Sequence, residues 1–216
     1  MTSIRPPGLL ITVDGPSGLG KSTTIAATRT ALEVAGHTVH IATGPSSSAF
    51  GLAVRTVANE MTGNALALAV AADRLHQRDT EIRPHRHVGH TVLCDRYLPS
   101  TLVLQRADGV ATDFLLTINH GVDIPDLAVI LLADPDTVQR RLASRGTRHR
   151  FELDAASTAR ELDLYQQAVP ILTRLGYPIH TIDTTGLTPE QIAQKILRSA
   201  NTTHPAASNT SAALES

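Results

Sequence analysis

The stretch Gly15-Pro16-Ser17-Gly18-Leu19-Gly20-Lys21-Ser22 constrains this chain more than any other feature. Its glycines let successive backbone N–H groups turn toward one point with no Cβ in the way, a concavity shaped for phosphate oxygens. Both flanks match what such a loop needs. Leu9 to Val13 is a short β-branched apolar run between Gly8 and Asp14-Gly15, the pattern of a buried strand. From Lys21 to Val34 the chain is rich in Ala and Thr and reads as a helix stopped at Gly36. The start of that helix adds partial positive charge beneath bound phosphates. Lys21 then reaches the terminal phosphates of a nucleoside triphosphate, the Ser22 hydroxyl is a ligand for Mg²⁺, and Thr23 continues the same binding segment.

The rest of the chain repeats the alternation of strand and helix. Thr38–Thr43, Thr91–Asp95, Leu127–Leu132 and Ile179–Ile182 read as further strands. Helical patterns cover Ala49–Met61, Ala65–Arg83, Ser100–Arg106, Asp113–Asn119, Asp136–Ser144, Ala155–Leu175 and Pro189–Arg198. Pro170 is expected to mark a kink. The pattern between Ala65 and Arg83 is apolar nearly all round for most of its length, which predicts burial against the sheet or a second subunit. Strands alternating with helices mean an α/β domain with a parallel sheet. The expected organisation is a flexible segment 1–8, one domain over 9–200, and a disordered tail 201–216 of Asn, Thr, Ser, Ala and Pro.

Charge and composition narrow the partners. Lys plus Arg number 19 and Asp plus Glu 20, so the net charge of −1 gives no footprint for nucleic acid or an anionic membrane. The hydrophobic fraction of 42% supports a real core, but aromatics supply only 3%, so Ala, Leu, Val and Ile must fill it. The single cysteine, Cys94, excludes an intrachain disulfide framework and a multi-Cys zinc site, and its place in a strand reads as a small buried hydrophobe. The first residues are too polar and too broken by proline for a signal peptide, and Leu9–Val13 is far too short to span a bilayer. A soluble, cytoplasmic protein is expected.

Two further segments carry chemistry. Asp95-Arg96-Tyr97 closes the third strand, and ligands of open parallel sheets sit at the carboxyl ends of strands. Asp95 and the glycine-rich loop should therefore face one crevice, with Asp95 a second candidate for Mg²⁺ and Arg96 a planar fork suited to phosphate. Arg145, Arg148 and Arg150 are spaced along a basic loop, as suits a lid (about 145–154) that closes over a transferring phosphoryl group. His85, His87 and His90 fit no zinc spacing and read as a solvated connection before the third strand.

Taken in order, these features resemble the thymidylate kinase family of P-loop nucleoside monophosphate kinases. The likeness runs over about residues 9 to 198 and rests on the phosphate loop, Ala71-Ala72-Asp73-Arg74, and Asp95-Arg96-Tyr97 with Ser100, Thr101 and Gln105 after it. It continues through Pro125-Asp126, Gln139-Arg140-Arg141-Leu142, and Arg145-Gly146 leading to Arg150-Phe151-Glu152. The resemblance implies a five-stranded parallel sheet wrapped by helices, a homodimer, and ATP-dependent phosphorylation of a nucleoside monophosphate. It assigns Gly15 through Thr23 to ATP, Ser22 and Asp95 to the metal, Arg96 to the acceptor's phosphate and Arg74 to its base. Ser100, Thr101 and Gln105 would line the base and sugar pocket, and Arg145, Arg148 and Arg150 would be lid residues.

The chain departs from the family pattern at several positions. Ser17 stands where an Asp is usual, and Ala42-Thr43-Gly44-Pro45 where Arg-Glu-Pro is. Val70 and Leu104 occupy the places of an aromatic that stacks on thymine and of a tyrosine beside the sugar 2′ position. Losing such stacking removes about 1–3 kcal/mol per base on the nucleic-acid scale, so an altered acceptor is expected. Three alternatives stay open: a nucleoside kinase, a kinase of another small metabolite, and a nucleotide-binding module without turnover. The first needs a general base, and Thr43 to Phe50 offers no carboxylate for it.

Overall fold

The computed structural model describes residues 8–138, 140 and 155–203. Five parallel strands form one sheet in the order β2-β3-β1-β4-β5: β1 (Leu10–Asp14), β2 (Val39–Thr43), β3 (Thr91–Asp95), β4 (Leu127–Leu132) and β5 (Ile179–Asp183). Helices among the described residues include α1 (Lys21–Val34), α2 (Ala49–Val57), α3 (Gly63–Gln77), α4 (Arg83–His87), α5 (Leu98–Ala107), α6 (Thr112–Ile118), α7 (Ala155–Arg174) and α8 (Pro189–Thr203).

The strands alternate their side chains between two cores, as the period of an extended chain requires. Leu10, Val92, Cys94, Ala128 and Ile130 face one side, with residues of α3, α5 and α7. Ile11, Val13, Leu93, Val129 and Leu131 face the other, with residues of α1 and α8. Both faces of the three central strands are covered, which explains why they read as continuous apolar runs. Cys94 lies in the first core as expected, fully buried, and burial pushes its thiol well above the ordinary range. The chain leaves β1 toward β2 on one side of the sheet and later returns to β4 on the other. The crevice at the carboxyl end of β1 is thus the topological switch point.

Element boundaries differ from expectation where local chemistry intervenes. The long helical pattern after Ala65 is not one helix: α3 passes into a π-helical turn, Arg78–Ile82, before α4. Pro84 at the start of α4 has no N–H for a regular ladder, and the wider turn absorbs the break. The outer side of α3 is open, with Leu68 50% exposed, while Leu66, Ala67 and Ala71 are buried. The histidines are not simply solvated. His85 stacks on His40 with ring centroids 3.5 Å apart, and its Nδ1 lies 3.0 Å from Nδ1 of His90. Pro170 sits inside α7 without ending it. Helix α8 continues to Thr203, into the stretch read as tail; residues 204–216 lie outside the described residues.

Candidate active site

The loop after β1 is shaped by close backbone packing. Gly15 has φ +146°, and a Cβ there would stand 2.6 Å from the carbonyl oxygen of Leu131 on the neighbouring strand. The turn then delivers Lys21 to the first position of α1, buried, with Nζ donating to the carbonyls of Gly15 (2.8 Å) and Pro16 (2.7 Å). Burial lowers the pKa of this ammonium, and the nearby Arg96 adds to the effect, bringing it to about 7. Glu161, Asp95 and Asp14 work in the opposite direction. Ser22 and Thr23 are exposed at the mouth. Leu19, expected among the nucleotide-binding positions, turns its side chain into the core below the loop.

Behind the loop lies a buried polar knot that the sequence did not reveal. Asp14 accepts three hydrogen bonds on Oδ1: from the amides of Tyr97 (2.8 Å) and Ser100 (3.0 Å) and from the Ser100 hydroxyl (2.6 Å). Burial raises its pKa, against those hydrogen bonds. Tyr165 of α7 donates to the Gly15 carbonyl at 3.1 Å and lies 3.0 Å from the Ser100 hydroxyl. The strand ends of β1 and β3 are therefore tied together directly under the loop.

Arg96 is the only non-glycine among the described residues with positive φ, +71°. Such backbone is sparsely populated for any residue with a Cβ and persists where the surroundings hold it. Its amide donates to Val13 (3.1 Å) and its Nη1 to the Ser100 hydroxyl (3.4 Å). Desolvation works against its charge, but Tyr165, Glu161, Asp95 and Asp14 together raise its pKa. Asp95 beside it keeps Oδ1 buried with no hydrogen bond among the described residues, as does Oδ2 of Asp14.

A cavity of about 400 Å³ opens from this point. The structure gathers Val70, Arg74, Asp95, Arg96, Ser100, Thr101, Leu104 and Gln105 around it, so the sequence-picked acceptor residues share one space. Val70 and Leu104 make the wall aliphatic at these two positions. Gln105 is buried, and its Oε1 has no hydrogen-bond donor among the described residues. Arg74 reaches the wall with both Nη atoms engaged: Nη1 with Asn119 Oδ1 (2.6 Å), Nη2 with Thr101 Oγ1 (2.8 Å) and the Tyr97 carbonyl (3.2 Å). Its guanidinium also lies over the Tyr97 ring, 5.5 Å from the centroid.

Three contributors escaped the sequence reading. Arg55 of α2 lines the same cavity as Arg96 and donates Nε to the Pro45 carbonyl at 3.0 Å. A lone arginine closing an otherwise apolar helix was the available signal. Asp73 accepts the amide and hydroxyl of Ser46, both at 2.6 Å, and so fixes the turn that presents Gly44 and Pro45 to the cavity. Asn119 anchors Arg74 from the end of α6. Arg145, Arg148 and Arg150, expected as lid residues, lie outside the described residues.

Comparison with known proteins agrees with this geometry. The family model described as thymidylate kinase matches residues 13–196. A probable thymidylate kinase of Pyrobaculum aerophilum is 32% identical over 86% of this chain and 93% of its own length. A thymidylate kinase of Clavibacter sepedonicus is 37% identical over 69% of this chain and 75% of its own. Among solved structures, the thymidylate kinase of Candida albicans has the same fold, with TM-score 0.75 at 20% identity, covering 91% of this chain and 92% of that one. The match spans the phosphate loop, the Asp95-Arg96 strand end and the residues of the cavity beside them, and the chain belongs to the thymidylate kinase family.

Proposed function

We infer that this chain transfers the γ-phosphoryl group of ATP to the phosphate of a nucleoside monophosphate. One observation carries the reading: Asp95 and Arg96 line the cavity and also act electrostatically on Lys21 of the phosphate loop, so the two spaces share these residues. A donor held on the loop and an acceptor held in the cavity would present their phosphates to the same guanidinium. The acceptor oxygen is already ionised, so the attack needs alignment and charge offset rather than a general base. Lys21 and Arg96 supply that offset. We assign Arg145, Arg148 and Arg150 to completing it once nucleotide is bound.

The residues present fit a magnesium ion. Asp95 Oδ1 is a buried anionic oxygen lacking a hydrogen-bond donor among the described residues, and the Ser22 hydroxyl is open at the mouth of the loop. Those two groups would hold the ion, which when bound spreads the charge of the β- and γ-phosphates.

For the acceptor, Gln105 Oε1 can accept an N–H from the base and Arg74 on the same wall can donate to an exocyclic oxygen. A uracil-like or thymine-like edge carries both, so that is the substrate class we propose. A homodimer formed over the open side of α3 is supported by the half-exposed Leu68 with Phe50 and Leu52 on the adjacent α2. No helix among the described residues is long and apolar enough to cross a membrane.

A coupled assay of ADP release with dTMP, dUMP, UMP, CMP and dCMP tests the reading. ADP release should depend on a pyrimidine monophosphate. Lys21→Ala should lose at least about 10²-fold in kcat with its circular dichroism and Tm preserved. ADP release indifferent to every monophosphate, or near-normal turnover in folded Lys21→Ala, would refute it.

A further inference from the structure

Helix α7 directs two buried side chains at the phosphate loop, one turn apart. Tyr165 donates its hydroxyl to the Gly15 carbonyl at 3.1 Å. Glu161, 7% exposed, accepts the amide of Ser17 at 3.4 Å across 144 residues of sequence. Residues four apart share a helix face, so this pair grips the first half of the loop from one direction.

A carboxylate is costly to bury unless cations answer it. Among the described residues, Lys21 of α1 and Arg96 after β3 are cations that Glu161 acts on electrostatically. These same two cations repel each other, and Arg96 stays charged in any protein environment. Among the carboxylates that offset the repulsion at Lys21, Glu161 acts most strongly, ahead of Asp95 and Asp14. No side chain from Gly15 to Ser22 is acidic, so the loop has no anion of its own. Neither the motif nor its flanks predicts a partner from a helix so far along the chain.

We propose that Glu161 is a positioning residue for phosphoryl transfer, its carboxylate holding the loop through the Ser17 amide and keeping Lys21 and Arg96 together at the transferred group. The inference rests on the kinase reading above. Glu161 touches no substrate in it; it acts through the loop and the two cations. Because their alignment matters most when charge redistributes in transfer, its loss should weigh on kcat rather than on substrate affinity.

The test is Glu161→Gln, which keeps the shape and an acceptor oxygen but removes the charge. Its kcat should fall about 10- to 100-fold, the range seen when partners that orient metal ligands are removed, while both KM values move less than about threefold. The double variant Ser17→Asp with Glu161→Gln returns a carboxylate to the loop from the other side and should recover most of the lost kcat. A purely structural contribution would show instead as a lower Tm that Ser17→Asp does not repair, with kcat near normal at temperatures where the variant is folded. Unchanged kcat in folded Glu161→Gln overturns the proposal, and so does a loss that the double variant leaves untouched. If Glu161→Gln does not fold, the double variant decides alone: wild-type-like turnover supports the proposal and a folded but inactive protein overturns it. Wild-type protein that binds ATP by calorimetry yet phosphorylates no monophosphate defeats the kinase reading instead. In that case the hold on the loop is read from amide hydrogen exchange at Ser17: faster exchange in Glu161→Gln supports the positioning role, and unchanged exchange overturns it.

Discussion

Nη1 of Arg74 and Oδ1 of Asn119 meet at 2.6 Å across 45 residues of sequence. The amide is oriented from its other end, where Nδ2 donates to the Leu115 carbonyl at 2.8 Å. Asn119 thus offers its oxygen to the guanidinium and fixes where Arg74 stands on the cavity wall. The Tyr97 ring and Thr101 hydroxyl hold the remaining side.

Removing that anchor should loosen the acceptor pocket selectively. Asn119→Ala leaves a buried charged donor short of a partner, a loss of about 1.5–3 kcal/mol for a hydrogen bond of this type. The expected outcome is a Tm several degrees lower and an acceptor KM raised about tenfold, with KM for ATP unchanged. Steady-state kinetics with each substrate varied in turn checks it. An ATP KM that rises in parallel would place Arg74 outside the acceptor site.

Gly44 supports Arg96 by being small. Its amide donates to the Asp95 carbonyl at 2.8 Å, and a Cβ at position 44 would stand 2.8 Å from the backbone oxygen of Arg96. That neighbour is backbone in an already sparsely populated conformation, so it cannot give way cheaply. Gly44→Ala should displace Arg96 and cost about 10- to 100-fold in kcat/KM for the monophosphate, since small misplacements at reacting centres are expensive. ATP affinity measured by calorimetry should stay within about twofold of wild type.

Lys21 makes ATP binding a proton-coupled event. Burial first, and then Arg96, bring the free ammonium's pKa to about 7. Phosphate oxygens around it favour the charged form and raise that pKa on binding. Above the free value Lys21 is mostly neutral before binding and charged after it, so protons are taken up; well below it the ammonium is charged throughout and the uptake vanishes. Calorimetry in buffers of different ionisation enthalpy should give uptake approaching about one proton per ATP at pH ~8 and little at pH ~6, relative to a Lys21→Met baseline that cancels the titration of ATP itself. Equal uptake by wild type and Lys21→Met would exclude Lys21 as the linked group.

The parts of this molecule legible in its sequence are those written in local periodicity. The central strands showed because both faces of each are buried, giving unbroken apolar runs at Leu10–Asp14, Thr91–Asp95 and Leu127–Leu132. The loop showed because its glycines obey a local backbone requirement, and Asp95-Arg96 because a charged pair closes an apolar strand. What stayed hidden depends on side chains meeting across the fold. Asp73 holds Ser46, Asn119 holds Arg74, and Glu161 holds Ser17, each over a separation that no window of sequence spans. Asp14 read only as the residue that ends a strand, yet three hydrogen bonds make it the fastener between β1 and the start of α5. Arg55 gives little signal because a single cation on a short helix is ordinarily solvated; here it lines the cavity and donates to the Pro45 carbonyl. The π-helical turn was equally invisible, since Pro84 marks a break without saying how the backbone will absorb it.

The acceptor selectivity follows from what lines the cavity. Val70 and Leu104 present aliphatic surface to a space of about 400 Å³, so nothing at those two positions stacks on a base or closes against a 2′-hydroxyl. A pocket that only fits around its ligand rejects an added hydroxyl by about 10²-fold or less. UMP or another uracil-type ribonucleotide should therefore be used at a rate comparable with dTMP, and CMP less well, because cytosine carries an amine where a uracil-type base offers Arg74 its exocyclic oxygen. Steady-state kcat/KM across the five monophosphates measures this directly. Val70→Phe should then raise kcat/KM for dTMP by about tenfold, within the range that one stacked base supplies, and Leu104→Tyr should lower kcat/KM for UMP while sparing dTMP. A wild-type preference for dTMP well beyond about 10²-fold would mean that polar groups of the wall, Arg74 and Thr101 among them, exclude the ribonucleotide by a route that the aliphatic positions do not control.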